Sequence, residues 1–570
     1  MVGELQAALR AIAAGRAPAS LESERLDFKE PKPALKEAFA DLAEAAVCFA
    51  NGVGGEIIVG VVDRVKGVAA FVGCDLDPAQ VKERIHTLTE PPLLVDVGVE
   101  LVGEVRLLRI HVPAGVEVHS TKRGLASRRL GTSCLPMRPA DVARLSEERR
   151  GYDWSALPSG RGLADVHPLA LRQAQRYLFQ AADPARRRLA DLREGDLLRA
   201  LGAVGERGEL NRAGELLFCD APEGVAPDLV VYQHRRLPGG EADAVLRLPG
   251  PLVLAVADVM SAVGTRQEVT PVTLANGQQV QIEEYPTLAV RECVINALMH
   301  GDHRLGQPVH VEHSPDALVV TSPGPLVSGV TPANILTTGS RARFPVLARC
   351  FRTLGLAEEL GQGVDRIFRE VIRSGRPAPV IDEQYDRVTV RLDGQPPNSR
   401  IAKFIAALPE AEQNDTDTLL ILRLLCQHKS VSAADVAPVV QRSVDDAQAA
   451  LKRLSGQKPY LLEPTRGTLG RRYPSYRLRS EVVVQLGSAV RYHARALDEI
   501  DLKIIEHLRD YGQVNNRTVQ RLFDVDVYQA RGILRDLVGR ELIVRTSEQR
   551  RGTAVHYGPG PKFPRRRRGR

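Results

Sequence analysis

The chain has 570 residues, of which 44% are hydrophobic and 26% charged, and its formal net charge is +7. This composition is typical of a globular protein of several domains and excludes a disordered or collagen-like chain. No stretch approaches the roughly 20 apolar residues of a membrane span, and residues 1–16 lack the charged start and apolar core of a secretory signal. We therefore expect a cytoplasmic protein with no membrane segment, and the positive charge favours an acidic partner.

Seven cysteines are scattered along the chain. No two of them have CxxC spacing, so the sequence predicts neither a zinc site nor a disulfide framework. Free thiols of this kind fit a reducing cytoplasm.

Residues 18–145 alternate helix and strand signals. An extended segment over 22–29 comes first. Apolar residues at helical spacing then predict a helix over 36–50, and apolar runs predict strands over 55–62 and 105–112. This alternation predicts an α/β unit.

Acidic residues and a lysine lie close together at the start of this unit. Asp27 and Lys29 are alternate residues of a predicted strand, so their side chains share a face. Together with Glu22, and with Asp63 at the end of the next strand, they could hold a divalent metal and polarise a phosphate. The alternative is a solvated face with a salt bridge.

The runs ESERLDFKE, FANGVGG and IVGVVD, followed later by RLGT, resemble the Schlafen AlbA-like domain. In animal Schlafens such a domain cleaves structured RNA with carboxylates, which the resemblance places at Glu22, Asp27 and Asp63, beside Lys29. Asp27 stands where the family has Glu. Many bacterial relatives carry the same residues and are described as DNA-binding domains. The resemblance implies contact with nucleic acid, which would include Arg129 of RLGT, and it leaves open a nuclease with Mn²⁺ or Mg²⁺ at the triad.

The middle of the chain, residues 155–280 and 285–395, continues the mixture of helix and strand signals. The predicted elements are helices over 169–180 and 192–201 and strands near 229–232 and over 388–392. A proline-rich linker follows at 396–399.

Three polar residues of the middle region recur at every fourth position. Glu292, Asn296 and His300 share one side of a predicted helix, whose other side is apolar. Such a stripe faces water, a partner or a ligand. An Asn amide oxygen can ligate Mg²⁺, and a Glu one turn earlier can orient a water toward a terminal phosphate. The alternative is an ordinary amphipathic helix with a solvated stripe.

The pattern ExxxNAxxH resembles the N-box of GHKL ATPases, in the variant found in RecG-like transcriptional regulators. The runs LNRAGELLF upstream, and SPGPL, GVTP, RFPVLA and LGLAEELGQG downstream, follow in that variant's order. The resemblance implies a site for ATP with Mg²⁺, with Asn296 as the metal ligand, formed by Glu292, Asn296, His300, Gly324, Gly361 and Gly363.

This sequence departs from the GHKL pattern at the base-reading position. The acidic residue that reads adenine in ordinary GHKL proteins is absent, and Ser322 and Gly324 stand in that stretch. Ser322 and Phe344 also replace asparagines of the variant. ATP binding with hydrolysis, ATP binding without hydrolysis and a vestigial pocket are all consistent with this sequence.

Residues 416–476 and 498–557 each follow the order helix, helix, helix, β-hairpin, which predicts two winged helices. In the second, the recognition helix is predicted over 527–538. The side chains of this helix and of the turn in the following hairpin that are predicted to contact a DNA duplex are Tyr528, Gln529, Arg531, Arg535, Arg550 and Arg551. Winged helices also serve as protein–protein modules. The third helix of the first repeat carries both acidic and basic residues, so both roles stay open for that repeat.

Five of the last six residues are arginine, after a run rich in proline and glycine. This tail, with Arg565 and Arg566, is either solvated or a phosphate-seeking arm, because arginine clusters displace counterions from nucleic acid.

The sequence therefore predicts an α/β (α+β) multidomain protein. The predicted parts are a Schlafen AlbA-like domain over 1–150, a connecting α/β region over 151–280, a GHKL-like ATP-binding domain over 281–398, winged helices over 412–480 and 495–560, and a basic tail over 561–570. We expect an ATP-binding, nucleic-acid-binding regulator, in transcription or anti-phage defence, that associates as a dimer or higher oligomer. The alternatives are a metal-dependent nuclease acting on RNA or tRNA through the triad, and an ATP-independent scaffold.

Overall fold

A computed structural model describes residues 2–205, 207–220, 225–237, 239–273, 279–357, 362–490, 501, 503–523, 525–549 and 555–563. In chain order its helices are α1 (Val2–Ala13), α2 (Leu35–Asn51), α3 (Pro78–Leu88), α4 (Pro139–Arg149), α5 (Pro168–Phe179), α6 (Pro184–Leu189), α7 (Glu194–Leu201), α8 (Arg212–Phe218), α9 (Leu252–Gly264), α10 (Thr287–His300), α11 (Pro345–Thr353), α12 (Gly363–Arg373), α13 (Ser399–Ala406), α14 (Glu410–Gln413), α15 (Thr416–Gln427), α16 (Ala433–Val440), α17 (Val444–Gly456), α18 (Ser480–Leu486), α19 (Asn516–Phe523) and α20 (Val527–Gly539). A further helical segment covers 503–511.

The strands are β1 (Leu26–Lys29), β2 (Gly55–Val59), β3 (Thr89–Glu90), β4 (Asp96–Val102), β5 (Val105–Val112), β6 (Ser120–Thr121), β7 (Ser127–Leu130), β8 (Ser133–Pro136), β9 (Val230–His234), β10 (Ala244–Leu248), β11 (Val269–Thr273), β12 (Gln279–Glu283), β13 (Val309–His313), β14 (Ala317–Pro323), β15 (Val380–Gln384), β16 (Arg387–Asp393), β17 (Leu462–Pro464), β18 (Tyr476–Leu478), β19 (Ile543–Arg545) and β20 (Tyr557–Pro559). None of the helices among the described residues combines the length and apolar character needed to cross a membrane.

The N-terminal sheet has the strand order β1-β2-β5-β4, with β1 parallel to β2 and the other pairs antiparallel. Alternate residues enter different cores: Phe28 and Ile58 pack with α1, whereas Ile57 packs with α2 and α3. The predicted strand over 105–112 is confirmed. The one predicted over 55–62 ends at Val59, because Gly60 adopts a φ of 109° that turns the chain.

The central sheet has the order β10-β9-β13-β14-β16-β15. β9 and β13 are parallel, and the remaining neighbours are antiparallel. Strands from both predicted stretches, 151–280 and 281–398, thus share one sheet, and one hydrophobic core runs from Val166 to Leu392. The apolar side of α10 enters this core, where Val294 and Leu298 are fully buried.

Two similar sets of elements complete the described chain. α15, α16 and α17 are followed by the hairpin β17-β18, and the segment 503–511, α19 and α20 are followed by the hairpin β19-β20. The order of elements is the one predicted. The second strand of the last hairpin covers Tyr557–Pro559, and the predicted start of this repeat at 498 lies outside the described residues.

One prediction from the cysteines is wrong. Cys48 of α2 and Cys134 of β8 form a disulfide across 86 residues of sequence, with Cα atoms 5.8 Å apart. Spacing along the chain carried no signal for this pair, because the fold alone brings α2 and the β7-β8 hairpin together. The cysteines at 74, 219, 293, 350 and 426 are free and buried.

Candidate functional site

A cleft of about 1130 Å³, including the solvent at its mouth, lies between α10, β14, the start of α12 and the segment 324–341. We call this segment the pocket wall. Predicted nucleotide-binding residues that line the cleft are Glu292, Asn296, His300, Gly324 and Gly363. The sixth, Gly361, lies outside the described residues. The polar stripe of α10 therefore faces a cavity and not open solvent.

Glu292 is held firmly at one end of the cleft. It is only 2% exposed, and its Oε1 lies 2.8 Å from Nη1 of Arg366, one turn into α12. Nη1 of Arg291 lies 3.7 Å from the same oxygen. A buried carboxylate needs such a cation, because an uncompensated charge in the interior is costly.

Gly363 opens α12 directly against this carboxylate. A Cβ on Gly363 would lie 3.0 Å from Oε2 of Glu292 and 3.4 Å from Nδ2 of Asn296. The missing side chain therefore lets the first turn of α12 approach both polar groups. The first N–H groups of a helix favour anions, so this part of the cleft could hold a phosphate, and the amide oxygen of Asn296 could ligate a Mg²⁺ ion.

His300 lies two turns further along α10 and is half-buried. Burial, followed by the nearby charges of Arg343 and Arg352, lowers the pKa of His300 to about 4. The imidazole is therefore neutral at pH 7 and can offer the cleft a hydrogen bond without a charge.

The opposite side of the cleft lacks a base-reading acid. Ser322 is 8% exposed and lines the cleft. Glu292 is the one acidic side chain among the lining residues that the structure describes, and Arg366 already pairs with it. The departure from the GHKL pattern at Ser322 is thus not compensated by a neighbouring carboxylate.

The pocket wall is hydrogen-bonded to two other elements, α4 and the end of α16. Glu148 of α4 accepts hydrogen bonds from the backbone N–H of Ser328 (3.1 Å) and from Nη1 of Arg343 (2.9 Å). The side chain of Gln441 accepts from the N–H of Leu336 at 2.8 Å and donates to the carbonyl of Pro332 at 2.9 Å.

The helix that carries Glu148 is also attached to the N-terminal sheet region. The next residue, Arg149, donates to the carbonyl of Ala50 at 2.7 Å and to the carbonyl of Glu117. Adjacent residues of α4 therefore bind two different parts of the chain. Sequence reasoning missed Glu148, Arg149 and Gln441, and no local pattern marked them.

The predicted acidic triad sits at the edge of the N-terminal sheet. Asp27 is 5% exposed, and its two carboxylate oxygens pair with Nη2 of Arg129 (3.1 Å) and Nζ of Lys29 (3.4 Å). Arg129 also donates to the carbonyls of Ser23 (3.0 Å) and Leu26 (3.2 Å). At 2% exposure, Arg129 positions Asp27 and has no surface left for a nucleic-acid phosphate.

Glu22 and Asp63 share the electrostatic field of Asp27. Burial, and then the negative charge of Asp27, raises the pKa of both carboxyls above the usual range. Oδ1 of Asp63 is buried without a hydrogen-bond partner. Over the described part of the chain, no three His, Cys, Asp or Glu side chains are arranged to hold a metal ion. Two cations occupy Asp27, so the triad as it stands does not fit a metal.

The predicted recognition helix, α20, presents an open face. Tyr528 is 80% exposed, and Gln529, Arg531 and Arg535 are also exposed. Leu534 and Leu537 point inward, which leaves the other four side chains without a packing role. The remaining predicted contacts, Arg550, Arg551, Arg565 and Arg566, lie outside the described residues.

Family models match two parts of the chain. The model "Schlafen, AlbA_2" matches residues 22–138, and the model HATPase_c_4, "Putative ATP-dependent DNA helicase recG C-terminal", matches residues 306–392. The chain thus contains a Schlafen AlbA_2 domain and a RecG-type HATPase domain, as the motifs predicted. The two domains define the class: a nucleic-acid-related, ATP-binding protein.

Among solved structures, the chain is similar to the DIP2311 protein from Corynebacterium diphtheriae. The two share 27% sequence identity with a TM-score of 0.52, over 85% of this chain and 98% of that chain. No curated protein matches the chain.

Proposed function

We propose that the protein is a regulator that binds nucleic acid and responds to a nucleotide in the α10–α12 cleft. The observation that carries this proposal is the pocket wall. It lines a cleft that holds five predicted nucleotide contacts, and it is hydrogen-bonded both to α4 and to Gln441. A ligand that stabilises one conformation of the pocket wall therefore also affects the stability of its contacts with α4 and with Gln441.

The chain's own residues supply the binding determinants. The N-terminus of α12 at Gly363 would hold the phosphates, Asn296 would ligate Mg²⁺, and the neutral imidazole of His300 would offer a hydrogen bond. Mg²⁺ with ATP would add charge neutralisation at the phosphates. Arg366 holds Glu292 as its counterion, which favours binding over hydrolysis because the paired carboxylate is less available to orient a water.

The nucleic-acid contacts belong to other parts of the chain. The exposed face of α20 carries two arginines, an aromatic ring and an amide, which is the mixture that contacts phosphates and base edges in a groove. The AlbA_2 domain adds a second nucleic-acid-directed surface. DNA is the expected partner, RNA is open to the AlbA_2 domain, and association as a dimer is expected from GHKL relatives.

Nucleotide binding is tested first, by calorimetry with ATP and Mg²⁺. We expect binding by the wild-type chain, at least a roughly tenfold loss in Asn296→Ala, and no change in Asn414→Ala, an exposed asparagine far from the cleft along the chain. Equal heats for Asn296→Ala and wild type would show that the cleft is vestigial, which is the scaffold alternative.

The coupling is tested by DNA affinity with and without ATP. Allosteric coupling between sites is typically about 1–3 kcal/mol, or roughly 5–150-fold in affinity. We expect Gln441→Ala to retain ATP binding and lose the ATP effect on DNA affinity. Gln457→Ala, an exposed residue after α17, should keep it. A full ATP effect in Gln441→Ala refutes the role of the pocket wall. Selection of operator DNA or of phage DNA would distinguish a transcriptional regulator from a defence component.

The second candidate is a metal-dependent nuclease. It is favoured by the mutual charge effects among Glu22, Asp27 and Asp63, which show three carboxyls at one sheet edge. It is disfavoured by the pairing of Asp27 with Arg129 and Lys29. Labelled tRNA, single-stranded DNA and duplex DNA are incubated with and without Mn²⁺. Cutting that Asp27→Ala abolishes would establish the nuclease, and bound but intact nucleic acid would support the regulator.

A further inference from the structure

The Cys48–Cys134 disulfide joins two elements with very different packing. Cys48 lies in α2 and is completely buried, whereas Cys134 lies in β8 and is exposed. All four residues of β8 are exposed, so side-chain packing contributes little to holding this strand. A hairpin of two short strands is marginal by itself in water. The disulfide is therefore a principal anchor of β8.

The same hairpin delivers a buried cation to the acidic site. Cys134 is the Cα partner of Arg129 across the β7-β8 ladder, and Arg129 pairs with Asp27. The guanidinium of Arg129 also stacks 4.5 Å above the ring of Phe49, which immediately follows Cys48 in α2. The disulfide and the Arg129–Asp27 pair thus hold the hairpin at one and the same point.

Noncovalent anchors remain at the start of the hairpin. The side-chain amide of Asn51 donates to the carbonyls of Ser127 (2.9 Å) and His119 (2.7 Å). These bonds fix the first residue of β7, and they leave β8 without a comparable attachment to α2. Opening the disulfide would therefore release β8 from α2. The end of the hairpin would then depend on the contacts of Arg129 with Asp27, with Phe49 and with the carbonyls of Ser23 and Leu26.

We propose that Cys48 and Cys134 form a redox modification site that controls the Arg129–Asp27 pair. With the bond closed, Asp27 is neutralised by both Arg129 and Lys29. With the bond open, β8 is released from α2 and the end of the hairpin opens more often. Lys29 alone stays beside Asp27 whenever Arg129 withdraws. The redox state thereby sets the net charge at the acidic site of the AlbA_2 domain. This inference does not depend on the nucleotide cleft.

A low-molecular-weight disulfide, such as oxidised glutathione, is the oxidant. The Cys134 thiolate attacks one sulfur of oxidised glutathione and expels a glutathione thiolate, forming a mixed disulfide. The Cys48 thiolate then attacks the Cys134 sulfur and expels the second glutathione thiolate. Two electrons pass from the protein to glutathione, and the two protons lost by the cysteines are taken up by the released thiolates. A dithiol reductant reverses the exchange.

The test uses the full chain, equilibrated with oxidised glutathione or with dithiothreitol. Free thiols are alkylated and counted by mass spectrometry, and trypsin cleavage after Arg128 and Arg129 is timed. We expect two fewer free thiols in the oxidised chain and cleavage at least tenfold faster in the reduced chain, because Arg129 is buried only while the hairpin is anchored.

Two variants separate a redox effect from general destabilisation. Cys134→Ser, at an exposed position, should be cleaved at the fast rate under both conditions. Cys74→Ser removes a buried free cysteine of the same domain and should keep the full redox response. Equal cleavage rates in the oxidised and reduced chain, or failure of Cys48 and Cys134 to couple under oxidised glutathione, overturns the proposal.

Discussion

Replacing Arg129 by methionine tests how the acidic site is held. Methionine keeps an unbranched apolar stem and removes the guanidinium, which is 2% exposed. The change deletes the 3.1 Å pair with Asp27 and the hydrogen bonds to the carbonyls of Ser23 and Leu26. Removing one partner of a buried ion pair costs about 3–5 kcal/mol. Lys29 remains 3.4 Å from Asp27, so we expect the low end, about 3 kcal/mol.

The assay has to report on the N-terminal sheet alone, because a chain of several domains does not unfold in one step. Hydrogen exchange of the β1 amides gives a local free energy of opening. A loss of about 3 kcal/mol corresponds to roughly a hundredfold faster exchange in β1. Amides of α15, in a separate core, should exchange at the wild-type rate.

A double mutant shows whether the loss comes from the ion pair. Asp27→Asn combined with Arg129→Met removes both charges, and coupling energies for such contacts are about 0.5–3 kcal/mol. The double mutant should therefore exchange more slowly in β1 than the sum of the two single losses requires. Strict additivity, or unchanged exchange in Arg129→Met, would refute the view that Arg129 stabilises this edge through Asp27.

Gly363→Ala should lower ATP affinity about tenfold, since overfilling a tight site costs ~1–3 kcal/mol. The melting temperature should stay within about 2 °C of wild type, because alanine favours the helix. Calorimetry and melting curves check both values, and unchanged ATP affinity would contradict the expectation. Arg535→Ala should weaken DNA binding at all sequences and reduce the salt slope by about 1 if the residue contacts a phosphate, as anisotropy at several salt concentrations would show. Burial and the charge of Asp27 raise the pKa of Asp63, so ionising it costs folding free energy once the pH exceeds its usual pKa. Asp63→Asn should therefore melt higher than wild type at pH 7 and equally at or below pH 3; a constant difference across that range would be inconsistent.

The shared position of three polar residues in the cleft could be predicted because they are local in sequence. Glu292, Asn296 and His300 lie on one helix, so their spacing alone places them on one side, and the structure adds Gly363 beside the first two. Arg366 escaped prediction because its partner Glu292 is 74 residues away. Contacts of this kind follow from the packing of α12 on α10, which no local pattern records.

At the acidic site, one residue that the motifs assigned to nucleic acid has a different position in the structure. Motifs grouped Glu22, Asp27 and Asp63 as a triad, and the pKa of Glu22 and that of Asp63 are both raised by the charge of Asp27. The catalytic role of the triad stays a prediction. The motifs also assigned Arg129 to nucleic acid, whereas it lies buried against Asp27, 102 residues earlier in the chain. A basic residue in a family pattern can serve a ligand or a neighbouring carboxylate, and only its burial distinguishes the two.

Helix α4 is hydrogen-bonded both to the pocket wall and to the N-terminal domain. A change of free energy at one of them can therefore affect the other. Glu148 binds the pocket wall and Arg343, while Arg149 binds the carbonyls of Ala50 and Glu117. Arg343 is 5% exposed and lies 3.7 Å from Asp302, a longer contact than its 2.9 Å bond to Glu148. Moving α4 away would remove the closer carboxylate from the buried guanidinium of Arg343, which costs folding free energy. The pocket wall and the C-terminal end of α2 are therefore tied to the same rigid helix. A displacement of the pocket wall must move α4 or break the bond from Ser328 to Glu148. A displacement of the end of α2 must move α4 or break the bond from Arg149 to Ala50.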